Sequence, residues 1–60
     1  MEAYLRYLET LSDEALAQER KERHYEWVNA ENDAQEEYAL AQLEAAQAAE
    51  AKRQKDKETE

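Results

Sequence analysis

The chain has 60 residues with no cysteine, glycine or proline, and its formal net charge is −8. The absence of cysteine excludes a disulfide framework and a thiolate metal site. The length allows one small domain, and domains of this size are marginal unless association or another device adds stability. The composition therefore predicts a homodimer or other homo-oligomer, or docking onto a larger protein.

The residue types favour helix throughout. Glycine and proline, which normally end helices, are missing, and Ala, Glu, Gln, Leu, Lys and Arg, the strongest helix formers, dominate the chain. The chain is therefore predicted to be all-α. A short amphipathic helix is expected over about residues 2–10, because Tyr4, Leu5, Leu8 and Leu11 fall on one helical face.

A second helix is predicted to begin at Ser12, which can cap it, with Asp13 adding negative charge to its first turn. Leu11 and Leu16 have the spacing of a hydrophobic staple around that cap. The following segment, about residues 13–51, is either one long helix or a helical hairpin.

The continuous helix is the favoured interpretation. The segment Asn29–Asp33 has no glycine to close a preceding helix and no apolar residue in the staple position. The alternative is a hairpin that turns near Asn29–Asp33, with Asp33 as cap and Glu36 completing a capping box. Apolar residues stop beyond Lys52, so residues 1–51 are expected to form a single helical domain and residues 52–60 a charged, flexible and disordered tail.

The long segment carries a stripe with mostly coiled-coil spacing, which predicts coiled-coil-like association. Its members are Leu16, Arg20, Arg23, Trp27, Ala30, Ala34, Tyr38, Ala41, Ala45 and Ala48. Aromatic residues in the polar middle are typical of interface anchors, because they bury a large area at low entropic cost. The predicted interface residues are Tyr4, Leu5, Leu8, Leu11, Leu16, Tyr25, Trp27, Val28, Tyr38, Leu40 and Leu43.

Charge is unevenly distributed, with no lysine or arginine between His24 and Ala51. The acidic residues 26–50 would repel phosphates and anionic lipid, so direct binding of duplex nucleic acid or a membrane is not expected. Apolar runs are too short for a membrane span or a signal peptide, and a cytoplasmic location is expected. The basic cluster Arg20–His24 is expected to neutralise neighbouring glutamates, or to face residues 26–50 of an antiparallel second chain.

Catalytic chemistry is not expected. His24 is the only histidine, which excludes a two-histidine metal site within one chain. Carboxylates are frequent, but catalytic pairs need a partly desolvated pocket to shift their pKa values. No phosphate-binding loop or nucleophile motif is present. We therefore predict no enzyme activity, no catalytic or metal residues and no cofactor.

The Leu-Ser-Asp-Glu-Ala-Leu opening at residues 11–16 is followed by a Glu-rich helix and a Lys/Glu-rich end. In these features and in its size the chain resembles small acidic all-helical early proteins of temperate lambda-like phages, those encoded between the recombination and excision genes. The resemblance implies a developmental or host-modulating role through protein contacts, in the host cytoplasm. It assigns no functional residues.

Together these features predict a small non-enzymatic protein–protein interaction module that self-associates and acts as a regulator or modulator by binding another protein. The alternative is an acidic mimic of nucleic acid that inhibits a DNA-binding enzyme. Glu31, Asp33, Glu36 and Glu37 could imitate phosphate spacing, whereas the eight basic residues of the chain count against this.

Overall fold

The computed structural model describes residues 2–58 and shows three helices, α1 (Glu2–Thr10), α2 (Asp13–Val28) and α3 (Asp33–Glu58), with no strand in that range. Helices α2 and α3 form an antiparallel hairpin, and α1 packs against α3. The molecule measures 43 × 20 × 16 Å. The all-α prediction and the bounds of the first helix are confirmed.

The break between α1 and α2 follows from a side-chain cap. The Ser12 hydroxyl accepts a hydrogen bond from the backbone N–H of Ala15 at 3.1 Å. This satisfies one of the amide groups that have no partner within the first turn of a helix. Leu11 and Leu16 contact the same apolar cluster on either side of the cap. The predicted helix start is confirmed.

The favoured continuous helix is wrong, because α2 ends at Val28. The backbone N–H of Asn29 donates to the carbonyl of Tyr25 at 3.0 Å, and its side-chain amide donates to the same oxygen at 2.9 Å. The described residues contain no positive φ angle, so the turn needs no glycine. An asparagine amide here performs the closing role that the sequence analysis assigned to glycine alone.

Helix α3 is capped by Asn32, one residue before the predicted Asp33. The side-chain oxygen of Asn32 accepts from the backbone N–H of Gln35 at 2.9 Å. The side-chain oxygen of Gln35 in turn accepts from the backbone N–H of Glu31 at 3.2 Å. This reciprocal pair resembles a capping box with asparagine and glutamine as its members.

The core is small and lies where the three helices meet. Five apolar residues have at most 4% exposure, Leu8, Leu16, Ala39, Leu43 and Ala46, and of these Leu8, Leu16 and Ala46 form the cluster where the helices meet. On α2 the predicted stripe faces the core, whereas on α3 it does not. The stripe residue Tyr38 is 67% exposed, and its neighbour Ala39, which is not in the stripe, is 4% exposed. The predicted spacing runs straight through residues 29–32, for the hairpin as for the continuous helix, whereas the turn changes which face of α3 meets α2.

The predicted end of the helical domain near residue 51 is seven residues too early. Helix α3 continues to Glu58, through most of the segment predicted to be a flexible tail. The guanidinium of Arg53 donates to the Leu8 carbonyl at 3.1 Å and to Asp13 at 3.0 Å, and the Lys57 ammonium donates to Asp13 at 2.7 Å. These contacts hold the segment against the ends of α1 and α2. The last two residues of the predicted tail lie outside the described range.

Candidate protein-interaction surface

Two exposed tyrosines lie on either side of a groove at the closed end of the hairpin. Tyr25 on α2 is 69% exposed and Tyr38 on α3 is 67% exposed. The groove has a volume of about 450 Å³. We call this region the tip surface; its lining residues are Tyr25, Glu26, Asn29, Ala30, Glu31, Gln35, Tyr38 and Ala39.

The turn that joins α2 to α3 positions both rings. The backbone and side-chain amides of Asn29 both donate to the carbonyl of Tyr25, which fixes the last turn of α2 at the residue that carries the first ring. Asn32 and Gln35 fix the first turn of α3, and Tyr38 lies one turn beyond Gln35. The tyrosines are therefore carried on capped helices rather than on a mobile loop, which lowers the entropic cost of using them in binding.

The surroundings of the groove are acidic. Glu26 and Glu31 line it, and Asp33, Glu36 and Glu37 are exposed on the first turns of α3. Of these five, Glu26 is paired with Arg23, whose guanidinium lies 3.0 Å from the carboxylate. An aromatic groove with a carboxylate rim is complementary to an apolar or aromatic partner group flanked by lysine or arginine.

Arg23 and Glu19 together link the three helices below the tip surface. The Arg23 guanidinium lies 3.3 Å from the Glu19 carboxylate on α2 and donates to the side-chain oxygen of Gln42 on α3 at 3.3 Å. The Tyr4 hydroxyl on α1 donates to the same Glu19 carboxylate at 2.8 Å. The side chains of Arg23 and Glu19 are 19% and 12% exposed, so the pair is better shielded from solvent than an ordinary surface salt bridge.

Burial, together with the hydrogen bond to Glu19 and the charge of that carboxylate, raises the pKa of Tyr4 well above its ordinary value. The phenol therefore stays protonated and acts as a hydrogen-bond donor over the physiological range. This places Tyr4 in a structural contact.

The basic cluster is used mainly within the chain. Arg23 contacts Glu19, Glu22 and Glu26, as the sequence analysis expected. Arg20 contacts Glu50, with 2.5 Å between the charged atoms. The acidic partner of Arg20 thus lies on the antiparallel α3 of the same chain, and the alternative of an antiparallel second chain stays a prediction.

Trp27 is partly buried, and its indole nitrogen has no hydrogen-bond partner in the structure. Its ring centroid lies 5.9 Å from that of His24, with the two planes tilted by 58°. The indole is outside the tip groove. Trp27 therefore contributes packing along α2, and the two tyrosines carry the exposed aromatic area of the tip.

The predicted interface residues divide into three groups. Leu8, Leu16 and Leu43 are buried in the core of the chain itself. Tyr4, Leu11, Trp27 and Leu40 are partly buried. Leu5, Tyr25, Val28 and Tyr38 are exposed and free to contact a partner.

Sequence reasoning missed the groove, because Tyr25 and Tyr38 come together only when the chain turns. The local signal that could have revealed it was Asn32 followed by Gln35, a pattern with the spacing of a capping box. It also missed Glu31, Asn29 and Gln35 as groove residues, since polar residues in a turn are normally assigned to solvent.

Residues 2–58 contain no group of three or more histidine or acidic side chains placed to hold a metal ion. Within the same range no helix is long and apolar enough to cross a membrane. The chain matches no protein-family model, and comparison with curated proteins and with solved structures found no significant match.

Proposed function

We propose that the protein is a non-enzymatic interaction module that binds another protein through the tip surface and also self-associates. The observation that supports binding is the pair Tyr25 and Tyr38, both about two-thirds exposed, on opposite sides of one groove. Single exposed apolar residues are normal on protein surfaces. Two tyrosines in one groove fit the enrichment and clustering of tyrosine at interface hot spots.

The acidic rim indicates the chemistry of the partner. A basic patch around an apolar or aromatic group would pair its charges with Glu31 and neighbouring carboxylates while its central group enters the groove. Such complementarity raises the association rate and is weakened by salt, whereas tyrosine contacts are much less sensitive to salt. The proposed partner is therefore a basic protein surface.

The small core supports the self-association part of the proposal. Among the large side chains for which the structure describes burial, only Leu8 and Leu16 are less than 2% exposed. A second copy that binds only the folded state would add stability by mass action. A cytoplasmic location, and the regulatory role in a phage or its host that the resemblance implies, belong to the same proposal.

Affinity capture with matched variants tests the binding function. We expect proteins from the source organism to be retained by the wild type and by Tyr7→Ser, and to be lost with Tyr25→Ser and Tyr38→Ser. Tyr7 is a suitable control, since it is 49% exposed on α1 and lies outside the tip groove. Circular dichroism should show the same helix content in all variants. Capture that is unchanged by both tip substitutions would contradict the proposal.

Nucleic-acid mimicry is a second candidate, and one observation favours it. Glu31, Asp33, Glu36 and Glu37 are all exposed, and none forms an ion pair with a described residue. If they imitate phosphates, neutralising the four as Gln or Asn should abolish inhibition of a DNA-binding enzyme, and binding should weaken steeply with salt. Binding that is lost with the tyrosine substitutions and only weakened by neutralising the carboxylates would refute mimicry and support the leading proposal.

A further inference from the structure

A second groove lies between α1 and α3, away from the tip surface. It has a volume of about 410 Å³ and is lined by side chains from both helices. Leu8 and three alanines of α3 line its apolar part, and Leu5 lies in the groove with 44% of its surface exposed. An exposed leucine beside an apolar groove is a surface that a partner can bury at little polar cost.

Two opposite charges on the rim of this groove have no ion-pair partner. Four charged residues line the groove: within the described range, Arg53 and Asp56 on α3 have partners, whereas Glu9 on α1 and Lys52 on α3 do not. Neither forms a salt bridge with another residue of the described range, although other charged residues nearby are paired, Arg53 with Asp13 among them. The rim thus presents one unpaired acid and one unpaired base to any molecule that covers the groove.

A surface of this kind is complementary to itself. In a two-fold symmetric dimer each residue i that contacts residue j of the partner is matched by j contacting i. A two-fold axis through the groove would bring Glu9 of one copy opposite Lys52 of the partner subunit, and Lys52 opposite Glu9 of the partner subunit. The apolar centre, including both copies of Leu5, would be buried between the two pairs.

We propose that the α1–α3 groove is the surface through which two copies of this chain associate, with Glu9 of each copy paired to Lys52 of the partner subunit. The inference rests on the self-association in the proposed function and names the surface responsible for it. The tip surface remains available to a different protein in the dimer.

Sedimentation equilibrium of four proteins tests the pairing: the wild type, Glu9→Lys, Lys52→Glu and the double variant with both reversals. Each single reversal places like charges opposite each other at both pairs of the dimer, so each should weaken dimerisation about tenfold or more at low salt. The double variant restores opposite charges and should dimerise within about threefold of the wild type.

The net charge of the variants separates specific pairing from general repulsion. The wild-type charge of −8 becomes −6 in Glu9→Lys and −10 in Lys52→Glu, because each reversal changes it by two units, and the double variant keeps −8. General repulsion would strengthen the Glu9→Lys dimer and weaken the Lys52→Glu dimer. Specific pairing weakens both.

A further pair of variants tests whether the apolar centre of the groove is buried in the dimer. Leu5→Gln should weaken the dimer, whereas Tyr7→Gln, similarly exposed on α1 but outside the groove, should leave it unchanged. Circular dichroism at the same concentrations shows whether each variant is folded. If Leu5→Gln does not fold, the charge-reversal series still decides the question.

Three outcomes would overturn the inference. A wild type that stays monomeric at 100-fold the concentration used for capture would refute both this surface and the self-association. A dimer that is unchanged by either single reversal would place self-association elsewhere and refute this surface only. A double variant as weak as the single ones would refute the pairing of Glu9 with Lys52. Loss of capture by the tip variants is independent of all three results.

Discussion

Replacing Leu16 with alanine should remove a large part of the stability of the fold. Leu16 is 0% exposed and belongs to the cluster that joins the three helices. The change deletes three carbon groups, worth about 2.4 kcal/mol at ~0.8 kcal/mol each. The cavity left behind raises the expected cost to about 3–5 kcal/mol. A 60-residue domain has roughly 3–9 kcal/mol of stability in total.

Thermal unfolding followed by circular dichroism measures this loss. A cost of 3 kcal/mol corresponds to a decrease in Tm of about 12 °C or more in a domain of this size. Val28→Ala is the matched control, since Val28 is 63% exposed at the end of α2 and its truncation should cost less than about 1 kcal/mol. All proteins should be melted at one concentration, and again at a tenfold higher one, because dimerisation makes Tm depend on concentration. A Leu16→Ala variant that melts within about 3 °C of Val28→Ala would refute the packing of α2 described here.

Spin labels on a Glu14→Cys, Gln54→Cys double variant, diluted with unlabelled protein, test the hairpin. Because the start of α2 and the end of α3 lie side by side, the labels should be much closer together than the 43 Å length of the molecule. A continuous helix would separate them by about 60 Å, and pulsed electron paramagnetic resonance distinguishes the two distances. In an alkaline titration at 295 nm, one of the four tyrosines should ionise well above pH 10, and Tyr4→Phe should remove that late step. Because the folded-state pKa of Tyr4 is raised, its contact with Glu19 stabilises the fold below about pH 10 and is lost as the pH rises further. Hydrogen bonds from Lys57 and Arg53 lower the pKa of Asp13. The contribution of this carboxylate to the stability of the fold is therefore present above about pH 4 and is lost on further acidification. In urea unfolding measured across this range, Asp13→Asn should make the stability less dependent on pH.

Features set by neighbouring residues could be predicted from the sequence. The start of α2 depends on Ser12 and the residues within four positions of it, and the structure has that cap where the sequence placed it. The amphipathic face of α1 likewise depends on residues within three turns, and Leu8 is buried as expected. Short-range hydrogen bonding and helical periodicity suffice for both.

Features set by the turn could not be predicted in the same way. The closing bonds come from Asn29 and Asn32, and asparagine is common in turns but also compatible with helix, so its presence alone does not decide between the two. Once the turn was missed, the phase of α3 was wrong, and Tyr38 was assigned to a buried stripe. The contact of Arg53 with Asp13 spans 40 positions in the chain and exists only because the chain folds back.

The turn between α2 and α3 is also the segment that decides between this hairpin and one continuous helix. None of its residues has a positive φ, and Asn29, with φ −100° and ψ 15°, lies in the bridge region next to helical geometry. Two asparagine side chains hold the chain in the turn by direct hydrogen bonds. A variant with alanine at both positions would favour one continuous helix, whose second half can pack only against the first half of another molecule. Loss of the two amides would remove hydrogen bonds that hold the turn, and would so lower the cost of exchanging α3 between two molecules without altering a single core residue.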